Sequence, residues 1–186
     1  MKRIAEETAP RVARTRAVQP RTFVAIDFET ADCYRDSACS VALVRVEGTK
    51  IVKSVSQLIR PPRRQFMFSG LHGITWAMVA DEPTFGEAWP QLAPILRGAE
   101  FLVAHNASFD RSVLKACCTQ AGLEPPSLDF KCTVQLARRV WTLSSHRLPV
   151  VCAHLGIPLQ HHDATSDAEA CARILLAAEA ELAGGD

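Results

Sequence analysis

The sequence has almost no net charge, and this absence narrows the ways in which it can bind a partner. Its 186 residues carry 21 lysines and arginines against 20 aspartates and glutamates, which leaves a formal net charge of +1. A protein that holds nucleic acid through its overall field is strongly basic, so this chain lacks that bulk signature. Any site that handles phosphate must therefore attract it through metal and through nearby lysine or arginine side chains.

The seven cysteines lack the spacing of a metal or disulfide site. They form no C-x-x-C pair, their number is odd, and several lie within apolar stretches, where a free thiol packs as a small hydrophobe. This usage is typical of a reduced, cytoplasmic protein and argues against structural zinc. The apolar runs are too short to cross a bilayer and the N-terminus has no secretory hydrophobic segment, so we expect no membrane association.

The chain divides into a short arm and one domain. Residues 1–21 are rich in basic residues and have little periodic hydrophobicity, which predicts a flexible basic N-terminal arm. Residues 22–186 are numerous and apolar enough for one domain with its own core, since 48% of the whole chain is hydrophobic.

Apolar patterning in residues 22–186 predicts an α/β fold with a mixed sheet. Strands are expected at 23–26, 41–46, 51–58, 101–104 and 128–132, and helices at 84–96, from the fourth strand to 118, and at 133–141, 147–155 and 167–182. The turn at 47–50 joins two of the strands in a hairpin. A hairpin followed by alternating strands and helices indicates a sheet flanked by helices.

Two carboxylates stand at the end of the most apolar strand. The stretch FVAIDFETAD begins with a run that does not alternate, as in a strand buried on both faces, and then reaches Asp27 and Glu29. Side chains two positions apart on a strand share a face, so these acids are expected about 6–7 Å apart. Like charges at the end of a buried strand repel each other and lose hydration, and a divalent cation would compensate for both effects.

Two further acids stand where helices are predicted to begin. Asp110 follows the buried strand at 101–104. Asp167 lies in a predicted capping box, Ser166 to Glu169, at the first helical position. Each acid alone is explained as well by the helix dipole. Because strand ends and helix starts converge on one crevice in open α/β sheets, the four acids together predict a site for two Mg²⁺ or Mn²⁺ ions about 3.5–4 Å apart. A histidine just before Asp167 supplies a base for an attacking water.

Three short motifs together resemble those of a known enzyme family. They are D-x-E-T at 27–30, H-N-x-x-F-D at 105–110 and H-x(4)-D at 162–167, accompanied by LHGITWAMVADEPTF at 71–85 and SHRLPVVCAHLGI at 145–157. In order and spacing the motifs are similar to the DEDDh group of 3′–5′ exonucleases, which includes the proofreading subunit of bacterial DNA polymerase III and ribonuclease T. The two longer blocks are typical of the epsilon-like bacterial members. The resemblance covers the chain from about Phe23 to Leu182.

The resemblance implies a ribonuclease H-like fold, with a five-stranded mixed sheet flanked by helices, and a set of metal ligands. Asp27 is expected to bridge both metal ions. Glu29 and Asp167 are expected to complete the site of the ion that binds the attacking water, and Asp110 to hold the second ion, largely through water.

The resemblance also implies a base and a pocket for the last nucleotides. His162 has the spacing of the motif and is expected to be the general base, whereas His161 lies one position too far from Asp167. The residues expected at the pocket are Thr30, His72, Gly73, Ile74 and Phe109, of which Phe109 either packs in the core or backs the pocket. Phe28 alternates away from the acids and is expected in the core. Seven arginines are candidates for the substrate backbone, and the sequence does not choose among Arg60, Arg63, Arg64, Arg111, Arg138, Arg139 and Arg147.

The sequence does not decide between DNA and RNA as the substrate. The 3′ ends of single-stranded or frayed DNA are favoured, as in proofreading or repair, because the supporting blocks resemble epsilon-like members. Trimming of RNA is the alternative, because the shared motifs do not report how the pocket meets a 2′-hydroxyl. A DNA polymerase subunit is an implied partner, and a homodimer is consistent with the family.

Two other functions account for the sequence less well. The haloacid dehalogenase phosphatases share an acid pair after a buried strand, but they need aspartate where this chain has Glu29, and H-x(4)-D has no role in them. A binding module without catalysis has little reason to keep four mutually repelling carboxylates beside a phosphate backbone.

Overall fold

The computed structural model describes residues 21–184. The expected basic arm, residues 1–21, lies outside the described residues except for Arg21. That side chain is held against the domain, since Nη1 donates to Glu179 Oε1 at 2.6 Å and the guanidinium lies 4.5 Å from the centroid of the Phe101 ring.

One five-stranded sheet forms the centre of the domain, with the strand order β3-β2-β1-β4-β5. The strands are β1 (Thr22–Thr30), β2 (Ala38–Glu47), β3 (Lys50–Leu58), β4 (Phe101–Ala104) and β5 (Asp129–Cys132). β1 pairs antiparallel with β2 and β2 with β3, whereas β1 and β4, and β4 and β5, are parallel. The predicted mixed sheet is confirmed. β1 continues past the predicted end at residue 26, so its two acids lie inside the strand.

Seven α-helices and one 3₁₀ helix surround the sheet in the described part of the chain. They are α1 (Ser69–His72), α2 (Trp76–Val79), α3 (Phe85–Leu92), the 3₁₀ helix (Ala93–Leu96), α4 (Ala107–Gln120), α5 (Thr133–Val140), α6 (Leu148–Leu155) and α7 (Ala164–Gly184). The helix predicted at 84–96 is thus divided, with Pro94 at the start of the 3₁₀ segment. None of the helices between residues 21 and 184 has the length and apolarity that crossing a bilayer requires.

The alternation of side chains along β1 assigns the helices to the two faces of the sheet. Phe23 and Ala25 point to the face that α7 covers, where they pack with Ala168, Cys171 and neighbouring apolar residues. Residues 24, 26 and 28 point to the opposite face and pack against α3, the 3₁₀ helix and α4. Phe28 is 3% exposed in that core, which confirms its predicted role. Asp27 and Glu29 therefore share the face of α7.

The start of α7 differs from the prediction. The helix begins at Ala164, and the capping box predicted at Ser166 is wrong, because Asp163 caps the first turn three residues earlier. Its Oδ1 accepts a hydrogen bond from the Ser166 N–H at 2.9 Å, while Ser166 Oγ accepts one from the Gln160 N–H at 2.8 Å. Asp167 thus stands later in the first turn than its predicted first position, and it is 3% exposed.

Candidate active site

The predicted acids surround one cavity at the carboxyl ends of β1 and β4. The cavity has a volume of about 890 Å³, and its walls include Asp27, Glu29, Asp110 and Asp167. β1 supplies the first two acids, α4 supplies Asp110 and α7 supplies Asp167. Strands that end together and helices that start there give this edge of an α/β sheet its crevice.

Three of the acids form a ligand set for a cation. One carboxylate oxygen each from Asp27, Glu29 and Asp167 lies within 4.8 Å of the other two. Asp167 Oδ1 is buried and has no hydrogen-bond partner among the described residues. A buried carboxylate oxygen without a partner is costly, and oxygen donors are the ligands that Mg²⁺ and Mn²⁺ prefer. The residues present therefore fit a divalent cation.

Asp110 approaches the same point from the other face of the sheet. Its Oδ1 accepts a hydrogen bond from the Phe28 N–H at 3.2 Å, so its carboxylate is fixed to the backbone between Asp27 and Glu29. It is 2% exposed. This anchoring keeps Asp110 outside the set of three, beside it and close enough to influence the charge of Asp27.

Burial and mutual repulsion raise the pKa values of the acids, because both disfavour the ionised form. Burial raises the pKa of Glu29 to about 8, with further contributions from the charges of Asp167 and Asp163. Burial also raises the pKa of Asp110 to about 8, against the lowering effect of the Phe28 N–H. The pKa of Asp27 lies well above its usual range because of burial first and then the neighbouring carboxylates. A cation bound here would reverse these shifts, since it favours the ionised forms.

Two adjacent histidines stand beside Asp167. The rings of His161 and His162 are stacked, with centroids 3.7 Å apart and an interplanar angle of 24°. His161 Nδ1 lies 2.9 Å from Asp167 Oδ2, while His162 contributes its backbone N–H to the same oxygen at 3.2 Å. Both side chains line the cavity. Burial, followed by the proximity of His161, lowers the pKa of His162, so its ring favours the neutral form that accepts a proton.

The residues predicted to meet the substrate divide into two groups. Thr30, His72 and Phe109 line the cavity, whereas Gly73 and Ile74 are not among the described residues that do so. Ile74 packs instead in a small core cluster with Ala31, Cys39 and Val79. His72 is held as the Nε2–H tautomer, because its Nδ1 accepts from the Ile74 N–H at 3.0 Å, which leaves Nε2 to donate to the Thr30 carbonyl at 3.1 Å. Phe109 both packs against the core and lines the cavity.

His105 holds one wall of the cavity, a role that the sequence analysis did not assign. Its Nδ1 lies 2.8 Å from Thr133 Oγ1 and its Nε2 lies 3.0 Å from the carbonyl of His146. These contacts join the end of β4 to the start of α5 and to the loop before α6. Burial lowers the pKa of His105 to about 4, so the ring is neutral near pH 7. Its place as the first residue of the second motif was the available signal.

The structure separates the seven candidate arginines by position. Arg138 and Arg147 line the cavity, on α5 and immediately before α6. The side chains of both arginines are exposed. Arg139, the neighbour of Arg138 on α5, is also exposed but does not line the cavity. Arg63 is engaged elsewhere, since its Nε donates to Asp32 Oδ2 at 2.9 Å. No sequence pattern distinguished the two lining arginines from the other five.

The chain is similar to known exonucleases and to the DNA polymerase III PolC-type proteins. The family model RNase_T, described as "Exonuclease", matches residues 24–175. Exodeoxyribonuclease 10 of Escherichia coli (strain K12) is 35% identical over 160 residues, which are 81% of this chain and 66% of that protein. DNA polymerase III PolC-type of Bacillus cereus is 32% identical over 166 residues, which are 87% of this chain but only 12% of that protein.

Solved structures show the same architecture. The structure of Exonuclease X in complex with 5′ overhanging duplex DNA superposes with a TM-score of 0.71 and 31% identity, covering 88% of this chain and 94% of that one. The nuclease domain of 3′hExo, a DEDDh family member, gives a TM-score of 0.73 with 89% of this chain and 94% of that chain covered, and at 20% identity it supports the fold alone. The predicted ribonuclease H-like fold is confirmed.

Proposed function

The chain belongs to the RNase_T exonuclease family, as its motifs predicted, and on that basis we propose that it removes nucleotides from the 3′ end of DNA by metal-dependent hydrolysis. The observation that carries the proposal is the convergence of Asp27, Glu29 and Asp167, whose ligand oxygens lie within 4.8 Å of one another at the floor of an open cavity. Without a cation this arrangement is costly, and with one it is suited to a phosphodiester.

In this proposal different side chains bind the metal ions, bind the terminal nucleotide and accept the proton. Asp27, Glu29 and Asp167 would hold divalent cations, with Asp110 beside them. When bound, Mg²⁺ or Mn²⁺ supplies Lewis-acid stabilisation of the developing charge and acidifies the attacking water. Thr30 and Phe109 line the space for the terminal nucleotide. His162, whose lowered pKa keeps its ring neutral near pH 7, takes the proton from the water.

Replacement of His162 is expected to slow hydrolysis without changing the fold. His162→Ala should reduce kcat by roughly 10²–10⁴-fold at neutral pH, because general-base catalysis contributes on that order. His161→Ala is the matched control, since the two rings are stacked neighbours and only the second has the spacing of the motif. Single-turnover rates on one oligonucleotide compare the two variants. A larger loss for His161→Ala would assign the base to the other ring.

DNA is the preferred substrate in this proposal. Exodeoxyribonuclease 10, which is 35% identical, is named for DNA, and the Exonuclease X structure, which is 31% identical, is a complex with duplex DNA. A 3′-exonuclease that recognises a histone mRNA stem-loop is only 18% identical and bears on the fold alone. Similarity to DNA polymerase III PolC-type extends the proposal to association with a DNA polymerase.

A competition assay tests the choice of substrate. One DNA and one RNA oligonucleotide of the same sequence, each with a different 5′ fluorophore, are mixed at equal concentration with the protein and Mg²⁺. We expect the DNA strand to shorten from its 3′ end well before the RNA strand. Faster shortening of RNA would replace DNA by RNA in the proposal and leave the chemistry of the site unchanged.

The two arginines that line the cavity are expected to hold the substrate backbone. Arg138→Ala and Arg147→Ala should each raise KM by about threefold to tenfold, since each removes one contact to phosphate worth about 0.7–1.4 kcal/mol at an exposed position. Each should also reduce the slope of log KM against log salt by about 0.7, the contribution of one neutralised phosphate on a single strand. Initial rates at several KCl concentrations give both quantities.

Arg139→Ala is the control for that experiment. It removes the same charge from an adjacent position on α5 that does not line the cavity, so KM and the salt slope should remain as in the wild type. Equal effects of all three substitutions would mean that the overall positive charge, and not this wall of the cavity, attracts the substrate.

A further inference from the structure

His161 is a metal-ligand type of side chain that the proposed reaction does not use. It lies in the loop before α7, with 37% of its side chain exposed. Its ring is nevertheless fixed between two residues of the active site, stacked on His162 and 2.9 Å from Asp167 Oδ2 through Nδ1. This arrangement places two imidazole rings and one carboxylate side by side at the wall of the cavity.

We propose that His161, His162 and Asp167 form a second cation site, selective for Zn²⁺ and similar borderline cations, whose occupation inhibits the exonuclease. One ligand atom from each residue lies within 4.8 Å of the other two. The set has two imidazole nitrogens and one carboxylate oxygen, a composition found in zinc sites. The neighbouring group of Asp27, Glu29 and Asp167, which we call the oxygen set, has only oxygen donors, and this favours Mg²⁺ and Mn²⁺.

Asp167 supplies the observation that points to a cation. Its side chain is buried and its Oδ1 has no hydrogen-bond partner within residues 21–184, while Oδ2 receives both the His162 N–H and the contact from His161. One carboxylate is therefore already oriented by two groups and has a free oxygen. Zinc would bind between His161 Nδ1 and Asp167 Oδ2, which now lie 2.9 Å apart. The ligand atoms already lie within 4.8 Å of one another, and rotation of the two stacked rings would direct both nitrogens at one ion.

Inhibition follows from shared ligands, and this part rests on the proposed function. Asp167 belongs to both sets, so an ion held by the histidines withdraws it from the oxygen set. A His162 nitrogen that donates its lone pair to zinc can no longer take a proton from water. Zinc at this site would thus remove a metal ligand and the base in one event.

Direct measurement of zinc binding tests the site without any nuclease assay. Isothermal titration of ZnCl₂ into the folded protein, in excess Mg²⁺ and without nucleic acid, is carried out on the wild type, His161→Gln, Asp27→Asn and His154→Gln. Loss of an outer-sphere partner alone weakens metal binding about 10–100-fold, so loss of the His161 ligand should weaken zinc binding by at least about 10-fold. His154 is an exposed histidine on α6 outside the cavity, and its variant should bind zinc as the wild type does.

The Asp27→Asn variant separates the two cation sets. It alters the oxygen set and leaves both histidines and Asp167 in place, so it should retain zinc binding. Imidazole ¹⁵N resonances of His161 and His162 should shift on adding zinc. Unchanged zinc affinity in His161→Gln, or loss of affinity in Asp27→Asn with no imidazole shift, would assign zinc to the carboxylates and overturn the proposal.

The consequence for activity is measured separately. In the presence of Mg²⁺, His161→Gln should require at least about 10-fold more Zn²⁺ for half inhibition than the wild type, when each protein is compared with its own zinc-free rate. Equal sensitivity of the two proteins would contradict inhibition through this site. A wild type that binds zinc as expected but hydrolyses no nucleic acid would refute the proposed function and leave the cation site standing.

Discussion

Asp27→Asn is expected to abolish hydrolysis while leaving the fold intact. Asp27 is one of the three acids whose ligand oxygens converge, and burial followed by the charges of the neighbouring acids raises its pKa, so the substitution removes a ligand from the cation site. A bound metal contributes several kcal/mol to the transition state, and each 1.36 kcal/mol is a factor of ten in rate. We therefore expect kcat to fall by at least about 10³-fold. Single-turnover cleavage of a 5′-labelled strand measures the loss, and circular dichroism checks the fold.

The matched control for this substitution is Asp129→Asn. Asp129 is an exposed acid on β5 that does not line the cavity, so the same change of charge should leave the rate unaffected. In metal-free buffer Asp27→Asn should also melt at a higher temperature than the wild type, because burial raises the pKa of Asp27 and folding must keep this acid protonated, a cost that the neutral amide does not have. Wild-type rates in the Asp27 variant would refute the proposed mechanism.

The metal-free protein is expected to lose stability as the pH rises from about 5 to about 9. The pKa values of Glu29 and Asp110 are about 8 in the folded protein, whereas the unfolded chain has values of about 4. Between these limits the folded state binds more protons than the unfolded state, so the free energy of unfolding falls with increasing pH. The loss should reach a few kcal/mol. Thermal melting in EDTA across this pH range measures it.

Two additions to that experiment identify its cause. Glu29→Gln should flatten the dependence on pH, because the neutral amide does not titrate. Mg²⁺ or Mn²⁺ should restore stability most strongly at high pH, where ionised carboxylates are available as ligands. A melting temperature that rises with pH in EDTA would mean that these acids are already compensated without metal.

The sheet and the acids were predictable because they depend on local patterns. The apolar run of β1 is long, its period places Asp27 and Glu29 on one face, and the three motifs keep their order along the chain. Predictions were less accurate where several local options compete. At the start of α7, both Asp163 and Ser166 are good capping residues, and the structure uses the first. α1 and α2 have four residues each, too few to show a helical period.

The basic wall of the cavity could not be predicted because it depends on tertiary contacts. Arg138 and Arg147 lie on different elements, and their common position is set by His105, which ties the end of β4 to Thr133 and to the His146 carbonyl. Asp110 and Asp167 reach the site from opposite faces of the sheet, and this arrangement also depends on the fold. The resemblance implied that Asp27, Glu29 and Asp167 share one ion, but no sequence signal indicated that Asp110 accepts a hydrogen bond from the Phe28 N–H.

A single time course tests whether the protein removes nucleotides from a 3′ end and whether this removal depends on metal. A 5′-labelled single-stranded DNA is incubated with the purified protein and Mg²⁺, and EDTA is added to half of the reaction midway. We predict a ladder that shortens one nucleotide at a time from the 3′ end and stops when EDTA is added. Shortening that continues in EDTA, internal cuts, or an intact strand in the presence of folded protein and Mg²⁺ would contradict the claim.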